Sequence, residues 1–220
     1  MKKVLIICMI LILFTLPGCT QAPDFPGSDT SKKASPVSDF QYEENEQGGI
    51  TITKYIGVDS DVIIPEKIKN KTVTQIGLFA FSHNQELVSL KLSDSITLIG
   101  LSAFEGCEKL SSVSLSQKLE LIDNCAFKSC PKLSEIALPN TLTSIGSSVF
   151  LNCSSLKAIT LPDSLTTIGM HAFENCTSLK HINIPKNLID LKDYSFTCSG
   201  IETIEFENGI EKIGKNITHC

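Results

Sequence analysis

Leu98 to Glu120 reads LIGLSAFEGCEKLSSVSLSQKLE, and the next 23 residues, Leu121 to Thr143, read LIDNCAFKSCPKLSEIALPNTLT. The same spacing extends both ways: Gln75–Thr97, Ser144–Thr166 and Thr167–Ile189 carry it. Phe81, Phe104, Phe127, Phe150, Phe173 and Phe196 fall in one column, and Leu87, Leu110, Leu133, Leu156, Leu179 and Ile201 in another. A unit of 23 residues buries little by itself and gains a core only by stacking on its neighbours. In Leu156–Pro162 the alternation turns Ile159 and Leu161 inward and Ala158 and Thr160 outward, the pattern of a short parallel strand that Pro162 ends. A second apolar pair, such as Leu165 with Ile168, lines the opposite wall. Gly77, Gly100, Gly146 and Gly169 follow it, in a place expected to need a tight turn or a positive φ, although Asp123 and Lys192 also stand there.

The chain has 220 residues, 42% of them hydrophobic, with 19 basic and 24 acidic side chains. Every basic residue is Lys, and there is no Trp. The balance gives no electrostatic footprint for nucleic acid. The missing Arg and Trp remove the bidentate fork for phosphate and the strongest stacking surface for bases and sugars.

The repeats resemble the BspA-like class of leucine-rich repeats, through the pattern IG..AF..C..L..I.LP..L over about Ile76 to Cys220. The resemblance implies a leucine-rich repeat solenoid of short parallel strands. In some members of the class it implies an adhesin on a bacterial surface. The stretches Gly49–Tyr55, Val62–Pro65 and Val73–Gly77 resemble the lead-in strands of that class, so 41–75 is expected to be an N-terminal β cap and 76–220 the repeats, the last incomplete. Thr218 falls where the next Phe belongs, which reads as truncation or a degenerate copy.

Met1-Lys2-Lys3, the apolar run Val4–Leu16 and Leu16-Pro17-Gly18-Cys19 resemble a lipoprotein signal, making 1–18 a signal peptide and Cys19 the lipid attachment site. The run of 13 is short for a permanent membrane span. Removing Lys2 and Lys3 leaves 17 basic against 24 acidic residues, a charge near −7. Residues 19–40, rich in Pro, Ser, Asp, Gly and Lys, read as a flexible tether reaching roughly 60 Å when extended.

Apart from Cys8 and Cys19, six cysteines, Cys107, Cys130, Cys153, Cys176, Cys198 and Cys220, are assigned with Asn84 to one column. A column that takes Asn or Cys suggests a buried donor to a loop carbonyl of the neighbouring coil, and reduced thiols are expected there. Cys125 stands apart as an exposed or half-buried thiol. No catalytic constellation emerges: His83, His171, His181 and His219 lie in different columns, and no Gly-x-Ser-x-Gly elbow is present. Asp59, Asp61 and Glu66 lack a calcium-loop pattern, so no metal and no cofactor beyond the Cys19 lipid is expected.

A binding face would be the outward positions of the strand column: Ser89, Ser112, Glu135, His181 and Thr203 in one row, Lys91, Ser114, Thr160, Asn183 and Glu205 in the next. These side chains suit weak or multivalent contact. The expectation is a non-enzymatic, lipid-anchored module of the bacterial envelope, exposed at the surface and binding proteins or other surface polymers. The alternatives are an envelope-internal scaffold or, further off, a regulatory subunit of an enzyme.

Overall fold

The computed structural model describes residues 33–206 and 212–218, together with the backbone of Leu5–Cys8. The repeats wind into a β-solenoid, each forming one coil with two strand-bearing walls joined by a turn arc.

The first wall is a continuous sheet. It begins with an antiparallel hairpin, Phe40–Glu44 against Ile50–Tyr55, and runs in parallel through Lys71–Ile76, Leu98–Ile99, Leu121–Ile122, Ser144–Ile145, Thr167–Ile168, Asp190–Leu191 and Lys212–Ile213. Its strands are only two residues long in the repeats, yet it alone spans the described coils. Backbone bonds just outside the strands, such as Thr97 N to Thr74 O at 2.9 Å and Gly100 N to Ile76 O at 2.8 Å, lengthen each junction.

The second wall carries the alternating strands read from the sequence, and it is divided. Asp61–Ile63, Ser89–Lys91 and Ser112–Ser114 form one sheet, Glu135–Ala137 pairs with Ala158–Thr160, and His181–Ile184 pairs with Thr203–Phe206. Along the far edge of Thr203–Phe206, Leu5–Cys8 runs in parallel with Leu5 opposite Thr203.

Between the walls runs an aromatic spine. Tyr55, Phe81, Phe104, Phe127, Phe150, Phe173 and Phe196 stack with successive centroids 5.0 to 5.8 Å apart. Burial is nearly complete, with all Phe from Phe104 to Phe196 at 0% exposure. Tyr55 carries the column into the cap, and Phe40 tilts against it to close the end.

The arc around each Phe holds two left-handed residues. Phe79, Ser102, Cys125, Ser148, His171, Tyr194 and Asn216 occupy one corner, and His83, Gly106, Ser129, Asn152, Asn175 and Cys198 the other. These corners direct N–H groups toward the following coil: Cys125, Phe127 and Ser129 donate to the carbonyls of Ser147, Val149 and Leu151. The glycines after the second strand have a different purpose from the positive φ expected of them. Among described glycines only Gly48 and Gly106 have φ in the left-handed region. A Cβ on Gly100 would lie 3.0 Å from the backbone of Gly77 and Leu78, and on Gly169 2.5 Å from Gly146 and Ser147. They permit close approach of one coil to the next.

Ser35 N donates to Ile63 O, and Ile63 N donates to the Ser35 hydroxyl, both at 3.0 Å. The last residues of the expected tether, from Ser35, therefore lie on the solenoid.

Candidate binding surfaces

The cysteine column is a structural ladder through four coils. Cys107, Cys130, Cys153 and Cys176 are fully buried, and each thiol donates at 3.2 Å to the Phe carbonyl of the preceding coil: Phe81, Phe104, Phe127 and Phe150. Burial pushes the thiols of Cys107 and Cys153 up to about 12, and those of Cys130 and Cys176 well above the usual range. Such thiols are held neutral and are poor nucleophiles. Asn84 starts the column differently: its side-chain oxygen accepts from Glu86 N and Leu87 N, both at 2.9 Å, and caps its own turn.

Cys198 is not in this column. The ladder residue stands three places after the spine Phe, and three after Phe196 is Ser199. Cys198 sits one place earlier at the left-handed corner, with φ 48°, in line with Asn152 and Asn175. It is disulfide-bonded, whereas Cys107, Cys125, Cys130, Cys153 and Cys176 are free. The ladder assignment and the expectation of a reduced thiol are both corrected for this residue. Cys19, Cys220 and His219 lie outside the described residues. Cys125 is half-buried at the other corner, and burial raises its thiol pKa.

The two outward rows lie in register on the divided wall. Ser89 stands opposite Ser112, Lys91 opposite Ser114, His181 opposite Thr203 and Asn183 opposite Glu205. Glu135 and Thr160 face out from the middle pair of strands, and Leu90, Val113, Ile136, Ile159, Ile182 and Ile204 alternate with these rows into the core. Lys91, Glu135, Thr160, His181 and Asn183 are exposed and the other five half-buried. The Ser89 hydroxyl donates to Asp61.

A second surface was missed by sequence reasoning. On the continuous sheet, beside the N-terminal hairpin, lies a groove of about 840 Å³. Its floor is Leu78, Leu98 and Leu101 with Gly77 and Gly100 between them, and Glu43, Glu44, Glu46 and Asp123 supply its carboxylates. The signal was present: at the place of Leu78 and Leu101 the later coils carry Asn124, Ser147, Met170, Asp193 and Lys215. The fold does not need Leu there.

Among the described residues no three His, Cys, Asp or Glu side chains converge on a point that could hold a metal. His171 pairs with Glu174 and stacks on Tyr194 at 5.1 Å, while His83 and His181 lie elsewhere on the coil.

A family model of the BspA type leucine rich repeat region matches residues 61–157 and 122–219, with 6 copies. A leucine rich repeat protein of T. pallidum is 34% identical, with a TM-score of 0.78, over 83% of this chain and 85% of that one. A leucine rich cell surface protein of Faecalibacterium prausnitzii is 29% identical with a TM-score of 0.59 over 81% of this chain. A leucine-rich repeat protein of Bacteroides ovatus is 27% identical with a TM-score of 0.58 over 82% of it. This chain spans 55% of the length of each of these last two. The curated proteins contain no significant match. The repeat period, the aromatic spine and the family match over most of the chain agree: this protein belongs to the BspA-type leucine-rich repeat family.

Proposed function

We propose that the protein is a non-enzymatic binding module, carried to the outside of a bacterium, anchored by lipid on Cys19 and presenting its coils to proteins or other surface polymers. The observation that carries the reading is the pair of outward rows, in which polar side chains repeat at coil spacing on strands whose opposite faces are locked in the core. Without Arg or Trp, such a face favours many weak contacts over a single tight anchor. The cell-surface description of the F. prausnitzii relative supports exposure.

Protease treatment of intact cells tests exposure, with an internal protein as control. Loss of the intact chain, together with release of a Cys19→Ala variant from the membrane fraction, is the expected result. Full protection would remove the adhesin reading and favour an envelope-internal scaffold.

A further inference from the structure

We propose that the groove beside the N-terminal hairpin binds an extended peptide segment in which basic side chains flank aliphatic ones. This rests on the reading of the chain as a binding module, and gives it a second surface with its own specificity. The groove contains four carboxylates and no basic side chain among its lining residues. Glu44 is paired with Lys71, but no ion pair engages Glu43, Glu46 or Asp123 among the described residues. The floor is apolar beyond what the fold requires: Leu78 is 63% exposed and Leu101 37%, at a place where Asn124, Ser147, Asp193 and Lys215 serve four of the five later coils and Met170 the other. Exposed leucines lying between unpaired carboxylates match a ligand with the complementary arrangement.

The lip is held in place before any ligand arrives. Asn45 N donates to Gly49 O, the Asn45 side-chain oxygen accepts from Gly49 N, and its amide donates to the Thr74 hydroxyl, all at 2.9 Å. A Cβ on Gly49 would come within 2.6 Å of the Thr74 hydroxyl oxygen, so the hairpin turn sits directly on the first coil. A fixed rim lowers the ordering cost of association. From the coil of Gly77 to that of Asp123 is two coil steps, about 10 Å at ordinary interstrand spacing. That is about three steps of extended chain, which separate the four residues of an apolar pair with one basic residue on each side. Convergent metal binding is not offered by these carboxylates, which do not gather around one point.

The test uses the full chain and the blocked hexapeptide Lys-Lys-Leu-Leu-Lys-Lys, with Lys-Lys-Ser-Ser-Lys-Lys and Glu-Glu-Leu-Leu-Glu-Glu as comparisons, read by calorimetry at two salt concentrations. The first peptide is expected to bind at least about tenfold more tightly than either comparison, and to weaken with salt. Glu43→Gln with Glu46→Gln, and separately Leu101→Ser, should each weaken it about tenfold. These side chains are exposed, and unchanged thermal melts would show the fold intact. Equal binding of the serine peptide would reduce the effect to bulk charge attraction and overturn the proposal, as would variants that bind like the parent. If Glu135 and His181 variants abolish binding of cell-surface partners while the groove variants bind the hexapeptide no differently, the groove proposal falls and the binding-module reading stands. Loss of surface exposure with hexapeptide binding intact would do the reverse.

Discussion

The coil around Phe150 and the coil around Phe196 solve the same problem with different parts. Phe150 lies between Phe127 and Phe173, at 5.8 and 5.4 Å, and the Cys153 thiol of its coil reaches back to Phe127 O. Phe196 stacks on Phe173 at 5.4 Å, but its ladder place holds Ser199, whose hydroxyl donates at 2.6 Å to Phe196 O of its own turn. Ser195, buried where the five preceding coils carry Ala or Val, has its hydroxyl nearest Lys192 O of its own turn and 3.3 Å from Gly169 O of the preceding coil. One residue is missing before Ile201, and Gly200 fills the shortened turn: a Cβ there would come within 2.1 Å of Thr177 O. The repeat therefore tolerates a deletion when a glycine closes the gap, and the coil is held without a ladder thiol.

The largest break in this comparison should come from the spine. Phe150→Ala removes a fully buried ring with a stacked neighbour on each side, and is expected to cost about 3–5 kcal/mol in denaturant unfolding. Phe196→Ala, with Phe173 as its described ring neighbour, should cost less. Equal costs would mean that the sixth coil is as integral as the fourth. Gly200→Ala should follow, at about 1–3 kcal/mol, because the Thr177 carbonyl is backbone and cannot swing aside. A silent Gly200→Ala would show that the shortened turn has slack.

The thiols give a pH test. A thiol whose folded pKa is raised stabilises the fold below its unfolded value, near 9, and that contribution drains away as pH rises toward about 12. Cys107 and Cys153 should each remove about 1.4 kcal/mol per pH unit across that window. The check is unfolding free energy at pH 8, 9 and 10, and a flat profile would refute burial of the neutral thiols. Native alkylation should label half-buried Cys125 first and leave the ladder intact. The smallest effects separate the two coil types: Cys153→Ala should cost about 1 kcal/mol beyond its packing through the lost bond to Phe127 O, and Ser199→Ala less, since its bond stays within one turn.

Much of this architecture is legible in the chain. The 23-residue period sets the coil, the Phe column sets the spine, and the alternation in Ala158–Thr160 sets the second wall. The continuity of the first wall is not legible, because two-residue strands such as Leu121–Ile122 carry no alternation to read. Cys198 misleads when cysteine is matched to cysteine, because the missing residue follows Ser199 and the count must start from Phe196. The left-handed corners fall on residues as unlike as Phe79, Cys125, His171 and Tyr194, so residue type gives little warning of them. Asn70, Asn152, Asn175 and Asn216, which open Asn-x-Ser/Thr triplets, all have positive φ, and the triplets follow from turn chemistry. The leucine floor of the groove could be found by column comparison. Its acidic lip could not, since it exists only once the Phe40–Tyr55 hairpin folds against the first coil.

The direction of the hydrogen bonds has a mechanical consequence. Bonds between coils lie along the solenoid axis on both walls and in the arc, where Phe104, Phe127 and Phe150 each donate N–H to the next coil. Under axial tension the junctions are loaded in series, while the bonds within one junction share the force. Extension would proceed by the opening of whole junctions, each coil released lengthening the chain by a step of 23 residues, or one fewer for the sixth coil. The junction between the fifth and sixth coils has no ladder thiol and should open before the four junctions that Cys107, Cys130, Cys153 and Cys176 bridge.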